Sequence, residues 1–430
     1  MKVAFYTLGC KVNQVETQSL MRVFREAGHT VVEGTCDPDA CVVNTCTVTA
    51  VSDKKSRQLL RKLRREYPDA VIAACGCFPQ ANPNAAEQLG CCDVIMGTGN
   101  RAEVLRLVEE TVRDRAPKLQ MDDALHRFGF ETLPVGLDTG HTRAMLKIED
   151  GCENFCTYCI IPYARGRIRS VKKEIAVAQA KELAAAGYRE IVVTGIEISS
   201  YGKDLEGETL ISLLEALCLA VPEVRIRLGS LEPRTITEEF CKTLGSYDNL
   251  CPQFHLSLQS GCDATLKRMN RKYDMERYET SVRLLRDTWE NCAVTTDLIC
   301  GFPGETEEEF AETLSSIERI GFSAMHIFPY SKREGTRAAK MLNQVPKYEK
   351  EARTKRAGAA ASAARKRYLN SFVGKTVSVL FEEESDGVWQ GHNKEYLLVE
   401  LTHDSDLKNQ ILDVAIIGVS ERETLIGRMV

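Results

Sequence analysis

Three cysteines constrain this chain more than any other feature. Cys152, Cys156 and Cys159 stand in the run Gly151-Cys152-Glu153-Asn154-Phe155-Cys156-Thr157-Tyr158-Cys159. Three thiolates this close together can hold three irons of a 4Fe–4S cluster. The run offers no nearby fourth cysteine, so one iron is left open for a substrate. A structural zinc site would fill four positions, usually from two paired ligands separated by a longer loop. Zinc and inert core thiols are therefore the weaker readings of this spacing.

The chain has 430 residues, 43% of them hydrophobic, enough for two or three domains with real cores. A net charge of −5 with 27% charged residues describes an ordinary soluble protein. The first ten residues carry one lysine and a short apolar stretch, which reads as a buried strand rather than a signal peptide. No apolar run approaches the roughly 18–20 residues that span a bilayer, so no membrane partner is expected. Without an export signal the expected location is the reducing cytoplasm, where disulfides are the wrong default for the 17 cysteines. Metal ligands, catalytic thiols and core residues remain.

Three regions follow from periodicity. Over residues 1–125, apolar runs at 2–7, 41–44, 71–74 and 94–96 alternate with helical patterns at 15–27, 51–67 and 101–113. That order predicts an N-terminal parallel α/β domain. Residues 116–140 lack periodicity and read as a linker. From 141 to 370, six strand candidates (144–148, 190–194, 225–228, 253–257, 294–299, 324–328) alternate with helical stretches such as 175–186, 210–219 and 307–320. They predict a partial (β/α)6 barrel with its site at the carboxyl ends of the strands, where the cysteine triplet falls. A charged, Ala-rich helix is expected at 347–370, then five short alternating runs within 371–430 that suggest a small closed β-barrel.

The first region holds a second cysteine set. Cys10, Cys46 and Cys77 each follow one of its predicted strands. Loops at the carboxyl ends of parallel strands gather on one edge of the sheet, so residues remote in sequence meet there. Asn13 and Asn44 are candidate hydrogen-bond donors to cluster sulfurs. Buried thiols are the bland alternative. Cys75, two residues from Cys77, points to the other face and is read as a core thiol. Core positions are also expected for Cys36, Cys41, Cys91, Cys92, Cys218, Cys241, Cys251, Cys262, Cys292 and Cys300.

Taken together these residues resemble the methylthiotransferases of the radical S-adenosylmethionine (SAM) superfamily along nearly the whole chain. The matching pieces are Gly9-Cys10-Lys11-Val12-Asn13-Gln14, Asn44-Thr45-Cys46, Gly76-Cys77, and Cys152 to Cys159 followed by Ile160-Ile161-Pro162-Tyr163-Ala164-Arg165-Gly166. Leu256-Ser257-Leu258-Gln259-Ser260-Gly261, the 297–306 stretch, and a C-terminal barrel similar to a TRAM domain continue the match. The Cys-Lys-Val-Asn-Gln run is most similar to the tRNA threonylcarbamoyladenosine methylthiotransferases. The resemblance implies two 4Fe–4S clusters, on Cys10/Cys46/Cys77 and on Cys152/Cys156/Cys159. It implies SAM as cofactor and an unidentified one-electron donor. It also implies methylthiolation at C2 of threonylcarbamoyladenosine beside the anticodon of ANN-decoding tRNAs.

Further site residues come with the resemblance. Tyr158, Thr194, Gly195, Glu197, Ser230, Glu232, Gln259 and Asp297 are candidates for the SAM pocket. Arg165, Arg167 and Arg169 follow the cysteine loop and are candidate RNA contacts, with Lys172 and Lys173. A second basic run, Lys54, Lys55, Arg57, Arg61, Lys62, Arg64 and Arg65, is either an RNA grip or a solvated helix face. Residues 371–430 carry five basic against eleven acidic residues, an awkward RNA grip. That favours a runner-up within the family, methylthiolation of a ribosomal protein aspartate. A plain iron–sulfur electron carrier is the alternative from another class; it needs neither the open iron nor a barrel around it.

Overall fold

Strands form where the short apolar runs lie, and two parallel sheets result. The computed structural model describes residues 1–32, 37–82, 84–137 and 142–430. Cys36 and the 138–140 end of the expected linker lie outside the described residues.

The first sheet is built from β1 (Lys2–Thr7), β2 (Thr30–Val32), β3 (Ala40–Thr45), β4 (Val71–Gly76), β5 (Val94–Met96) and β6 (Lys118–Gln120). They lie parallel in the order β2-β1-β3-β4-β5-β6. Every residue of β3 and β4 is buried, as expected of central strands covered on both faces. Helix α1 (Lys11–Glu26) sends Val12, Val15, Leu20 and Phe24 into the core, and α2 (Ala50–Glu66) sends Leu60 and Leu63. The three-residue strands β2 and β6 are too short for a period to show. β6 falls inside the stretch expected to be linker.

The central region holds β7 (Arg143–Lys147), β8 (Glu149–Asp150), β9 (Arg169–Ser170), β10 (Glu190–Thr194), β11 (Arg225–Leu228), β12 (Ser230–Leu231), β13 (Gln253–Leu256), β14 (Ala293–Cys300) and β15 (Ala324–Pro329). Its parallel strands form two ladders, β11-β10-β7 and β12-β13-β14-β15. The chain crosses from one to the other at Gly229, between β11 and β12. Six parallel strand positions thus follow one another around an open, partial barrel. Ile191, Val193, Ile226 and Leu228 join the core under the helices. The alternate residues, among them Glu190, Arg225 and Arg227, turn to the opposite, polar side. β8 and β9 pair antiparallel and set Asp150 opposite Arg169. Thr306 and Glu309 form a capping box that starts the Glu307–Ile320 helix.

The Lys347–Asn370 helix leads to β16 (Thr376–Ser385), β17 (Val388–Asn393), β18 (Leu398–Thr402), β19 (Ile411–Val419) and β20 (Leu425–Met429). These close into a barrel in the order β16-β17-β18-β20-β19 around Phe381, Val399, Val414 and Leu425. Among the described residues no helix is long and apolar enough to cross a membrane.

Candidate metal and cofactor site

Cys10, Cys46 and Cys77 sit just past β1, β3 and β4, on one edge of the first sheet. Side-chain amides stitch their loops together. Asn13 Nδ2 donates to the Leu8 carbonyl at 2.8 Å and to that of Thr45 at 3.1 Å. Asn44 Nδ2 donates to the Asn13 carbonyl at 3.1 Å and to Thr17 Oγ1 at 3.3 Å. Neither amide nitrogen is therefore free to donate to a thiol, contrary to the sequence expectation; both hold the loops in place. Gly9, at φ +111°, packs so closely that a Cβ would lie 2.8 Å from Cys46 Cβ and 3.0 Å from Cys46 Sγ. Only glycine lets the Cys10 loop approach Cys46 in this way.

Cys75 points into the core, 3.6 Å from the Val43 carbonyl, as its place in the strand predicts. Cys41, Cys218, Cys241, Cys251, Cys262, Cys292 and Cys300 are also buried, whereas Cys91 and Cys92 are only half-buried.

The second triplet lies past β7 and β8, on a loop tied down from two sides. Cys152 N donates to the Gly166 carbonyl at 3.0 Å. Gly151, at φ +91°, has the Arg167 carbonyl where a Cβ would go. On the other side Thr157 N donates to the Met269 carbonyl at 3.0 Å, and Asn270 Nδ2 donates to the carbonyls of Asn154 (3.2 Å) and Phe155 (3.0 Å). Arg271 Nη1 lies 3.2 Å from Cys156 Sγ. No sequence signal marked Asn270 or Arg271, since nothing in their spacing ties a turn more than a hundred residues away to the cysteine loop.

Burial pushes the Cys77, Cys152 and Cys159 thiols up, Cys77 to about 11 and Cys159 to about 12. A metal must displace those protons to be bound. Three thiols on one sheet edge and three on one loop are the donor type that 4Fe–4S clusters take.

Of the expected SAM residues, Glu197 meets the cysteine loop directly. Its Oε2 accepts from Asn154 Nδ2 at 3.4 Å, and its backbone N–H donates to Glu149 Oε2 at 2.7 Å. Burial, then the Glu232 carboxylate, pushes the Glu197 carboxyl up. Its Oε1 is buried and without a partner, as is Arg271 Nη2. Thr194 is buried at the end of β10, followed by Gly195, and Tyr158 packs edge-on against Phe302 at 6.4 Å. Glu232 pairs with Arg234 at 2.8 Å. Gln259 N donates to the Asp297 carbonyl at 2.9 Å, and Asp297 Oδ2 lies 3.4 Å from His255 Nε2. Ser230, in β12, is exposed.

Comparison with known proteins follows the same division of the chain. The Radical SAM superfamily model matches residues 146–317, and the Uncharacterized protein family UPF0004 model matches residues 2–97. The threonylcarbamoyladenosine tRNA methylthiotransferase MtaB of Bacillus subtilis is 40% identical over 96% of this chain and 93% of its own length. Its Aquifex aeolicus counterpart is 38% identical over 90% of this chain and 94% of its own. The chain belongs to the radical SAM methylthiotransferase family. A Bacillus pumilus tRNA-2-methylthio-N(6)-dimethylallyladenosine synthase is 34% identical over 88% of this chain and 76% of its own length. Among solved structures, the radical SAM methyltransferase TsrM of Kitasatospora setae matches with TM-score 0.56 at 16% identity, over 76% of this chain and 72% of its own, a likeness of fold alone. Membership makes this protein a transferase that works with SAM and 4Fe–4S chemistry.

The methylthiotransferase separates its three candidate RNA arginines. Arg165 is 0% exposed. Its guanidinium reaches Glu16 (2.5 Å), Asn13 Oδ1 (2.6 Å), Cys77 Sγ (3.2 Å) and Asp150 (3.4 Å). Arg169 is 5% exposed and donates to the carbonyls of Arg165 and Arg167. Both expected surface cations thus point inward, because buried Glu16 and Asp150 need them. Arg101 and Lys147 complete that network at 2.9 and 2.7 Å from Glu16. Glu16 is held at about 2: burial pushes it up, but Arg101, Arg165 and Lys147 outweigh that. Only Arg167 is exposed. On α2, Arg64 is engaged with Asp93 and three carbonyls and Arg57 lies over Phe78, while Lys54, Lys55, Arg61, Lys62 and Arg65 face solvent.

Proposed function

We propose that this enzyme adds a methylthio group to C2 of threonylcarbamoyladenosine next to the anticodon of ANN-decoding tRNAs, using two 4Fe–4S clusters. The observation that carries the two-cluster reading is Arg165. It follows the Cys152–Cys159 loop in sequence, yet its Nε lies 3.2 Å from Cys77 Sγ of the other triplet. The segment that follows the second triplet thus reaches a thiol of the first, which supports placing the two sets on facing sides of one site.

Cys152, Cys156 and Cys159 would hold the radical-generating cluster, and Cys10, Cys46 and Cys77 the sulfur-bearing one. When bound, these groups and SAM supply the radical and the methylated sulfur. The chain itself supplies position. Glu197 Oε1 and Arg271 Nη2, buried and unpartnered beside the same loop, complement the amine and carboxylate of a methionyl group. Tyr158, Thr194, Gly195, Ser230, Glu232, Gln259 and Asp297 are assigned to the same pocket, and Arg167 to the RNA. The reading places the enzyme in the cytoplasm with its tRNA and an electron donor still to be identified.

The substrate assignment rests on the Cys10-Lys11-Val12-Asn13-Gln14 run and on the relatives above that act on threonylcarbamoyladenosine. The test is mass spectrometry of nucleosides after anaerobic incubation of reconstituted enzyme with SAM and reductant. Three substrates are offered: threonylcarbamoyladenosine tRNA, dimethylallyladenosine tRNA and the ribosomal protein. Product on the first supports the assignment. Product only on the second or the third replaces it.

A further inference from the structure

Next to the cysteine loop lies a cleft of about 590 Å³ lined by Phe128, Phe130, Glu153, Arg167, Lys172 and Asp204. We propose that this cleft binds one unpaired nucleotide of the RNA, a neighbour of the base being modified. The inference rests on the tRNA reading above and names a contact which that reading leaves open.

Position is the first argument. Glu153 follows Cys152 in the loop itself. The Arg167 carbonyl fills the space a Gly151 side chain would need, and Cys152 N donates to the adjacent Gly166 carbonyl. A nucleotide in the cleft would therefore sit against the loop expected to hold the reactive cofactor. A neighbouring nucleotide of a single strand has the reach to be there.

Chemistry is the second. Phe128 is 82% exposed, a bare ring at the mouth of a cleft. Stacking a splayed-out base on an aromatic side chain is the usual way proteins hold single-stranded RNA loops. Phe130 forms a second apolar wall with Lys147 Nζ 5.5 Å from its ring centre. Charge is distributed to match. Arg101, Lys147, Arg165 and Arg169 are turned inward onto Glu16 and Asp150. Arg167 and Lys172 are exposed and pair with no carboxylate among the described residues, so they stay available to phosphate. Of the two acids, Asp204 is engaged by Ser170 N (2.8 Å) and Oγ (2.6 Å). The Glu153 carboxylate is left to accept a hydrogen bond from a base amino group. A ring face, two free cations and one acceptor make a nucleotide site. A volume of about 590 Å³ lies within the range of small-ligand pockets.

The test measures binding of a fluorescein-labelled anticodon stem–loop RNA to the reconstituted full-length enzyme by anisotropy. Phe128 lies on the surface, so Phe128→Ala leaves no cavity behind, and it should weaken loop binding roughly five- to hundred-fold. Arg167→Gln should lower the salt slope of binding by about 0.7. Tyr348→Ala, an exposed aromatic on the Lys347–Asn370 helix, should bind as the wild type does. Wild-type affinity and slope in both cleft variants would overturn the inference. So would AMP occupying the cleft, shown by shifts of Phe128 fluorinated at the ring, without displacing the RNA. If wild-type enzyme methylthiolates tRNA and Phe128→Ala does so with the same kcat/KM, the cleft assignment alone fails. If wild-type enzyme neither binds nor modifies tRNA, the substrate reading fails first and takes the cleft with it.

Discussion

Arg165→Gln is the most informative single substitution, because it removes the cation that the segment after the second cysteine loop places beside Cys77. The guanidinium is wholly buried and reaches Glu16, Asp150, Asn13 and Cys77. Removing one partner of a buried ion pair generally costs about 3–5 kcal/mol. Here the loss should fall near the low end, about 3 kcal/mol, since Glu16 keeps Arg101 and Lys147, and Asp150 keeps Lys147 and Arg169. Urea unfolding of the cluster-free protein reads this directly. The loaded protein gives the second readout. A cation beside Cys77 favours the more negative, reduced form of a cluster held there, so Arg165→Gln should move that cluster's midpoint potential downward. Arg165→Lys should restore part of the charge but not the forked contact to Glu16 and Asn13, and should recover the potential better than the stability. A destabilisation under about 1 kcal/mol would refute the energetic argument. An unchanged potential in both variants would show that Cys77 is not a ligand of the cluster being titrated.

Replacing Cys152, Cys156 and Cys159 together with alanine should halve an iron content of about eight per chain and abolish formation of 5′-deoxyadenosine. The Cys10, Cys46 and Cys77 triple variant should lose the other half and keep that activity. Iron assay with product chromatography decides both. Gly151→Ala puts a Cβ into the Arg167 carbonyl at a left-handed φ, and the backbone term alone is of order 1–3 kcal/mol. It should bind about half the iron of the wild type, and a fully loaded variant would mean the loop can relax. Glu190→Gln tests the buried pair with Arg227, 2.7 Å apart. Burial pushes the Glu190 carboxyl up, yet Arg227 overrides it and holds the group below its usual 4.5. The pair's stabilisation is therefore present above that value and lost as pH falls beneath it. The wild type should exceed the variant by about 3 kcal/mol at pH 7 in denaturant titrations, and the gap should narrow progressively as pH falls below 4.5. A constant gap would contradict the ionised pair.

What could be read from the sequence depended on how local the signal was. Strands such as Glu190–Thr194 and Arg225–Leu228, and the Glu307–Ile320 helix, fall where the apolar pattern places them. Loops at strand ends gather by topology alone, so the strand pattern by itself groups Cys10, Cys46 and Cys77. Side-chain direction had no such signal. Arg165, Arg167 and Arg169 alternate along one stretch and look alike in sequence, yet two face buried carboxylates contributed by α1 and β8. Those acids, Glu16 and Asp150, were not singled out because nothing in their own neighbourhoods marks them. The sequence marks Asn13 and Asn44 as site residues but not their role, since the carbonyls they bind come from other loops.

The same contrast bears on the acidic C-terminal barrel. Part of its surface is used inside the protein. Arg225 donates to the carbonyls of His392 (3.1 Å) and Ser378 (2.8 Å), and Arg227 to that of Lys394 (2.9 Å). Arg143 pairs with Glu382, and the Tyr396 ring lies between Arg143 and Arg227, 5.0 and 4.7 Å from their guanidinium carbons. A cationic end of the central barrel thus meets acceptors and a carboxylate on β16 and β17. The Glu382 carboxylate there stabilises domain docking, so at least one of the barrel's eleven acids serves the fold and not a partner. The charge that meets phosphate need only be near the chemistry, where Arg167 and Lys172 remain unpaired, because contacts at the modified base decide which nucleotide enters.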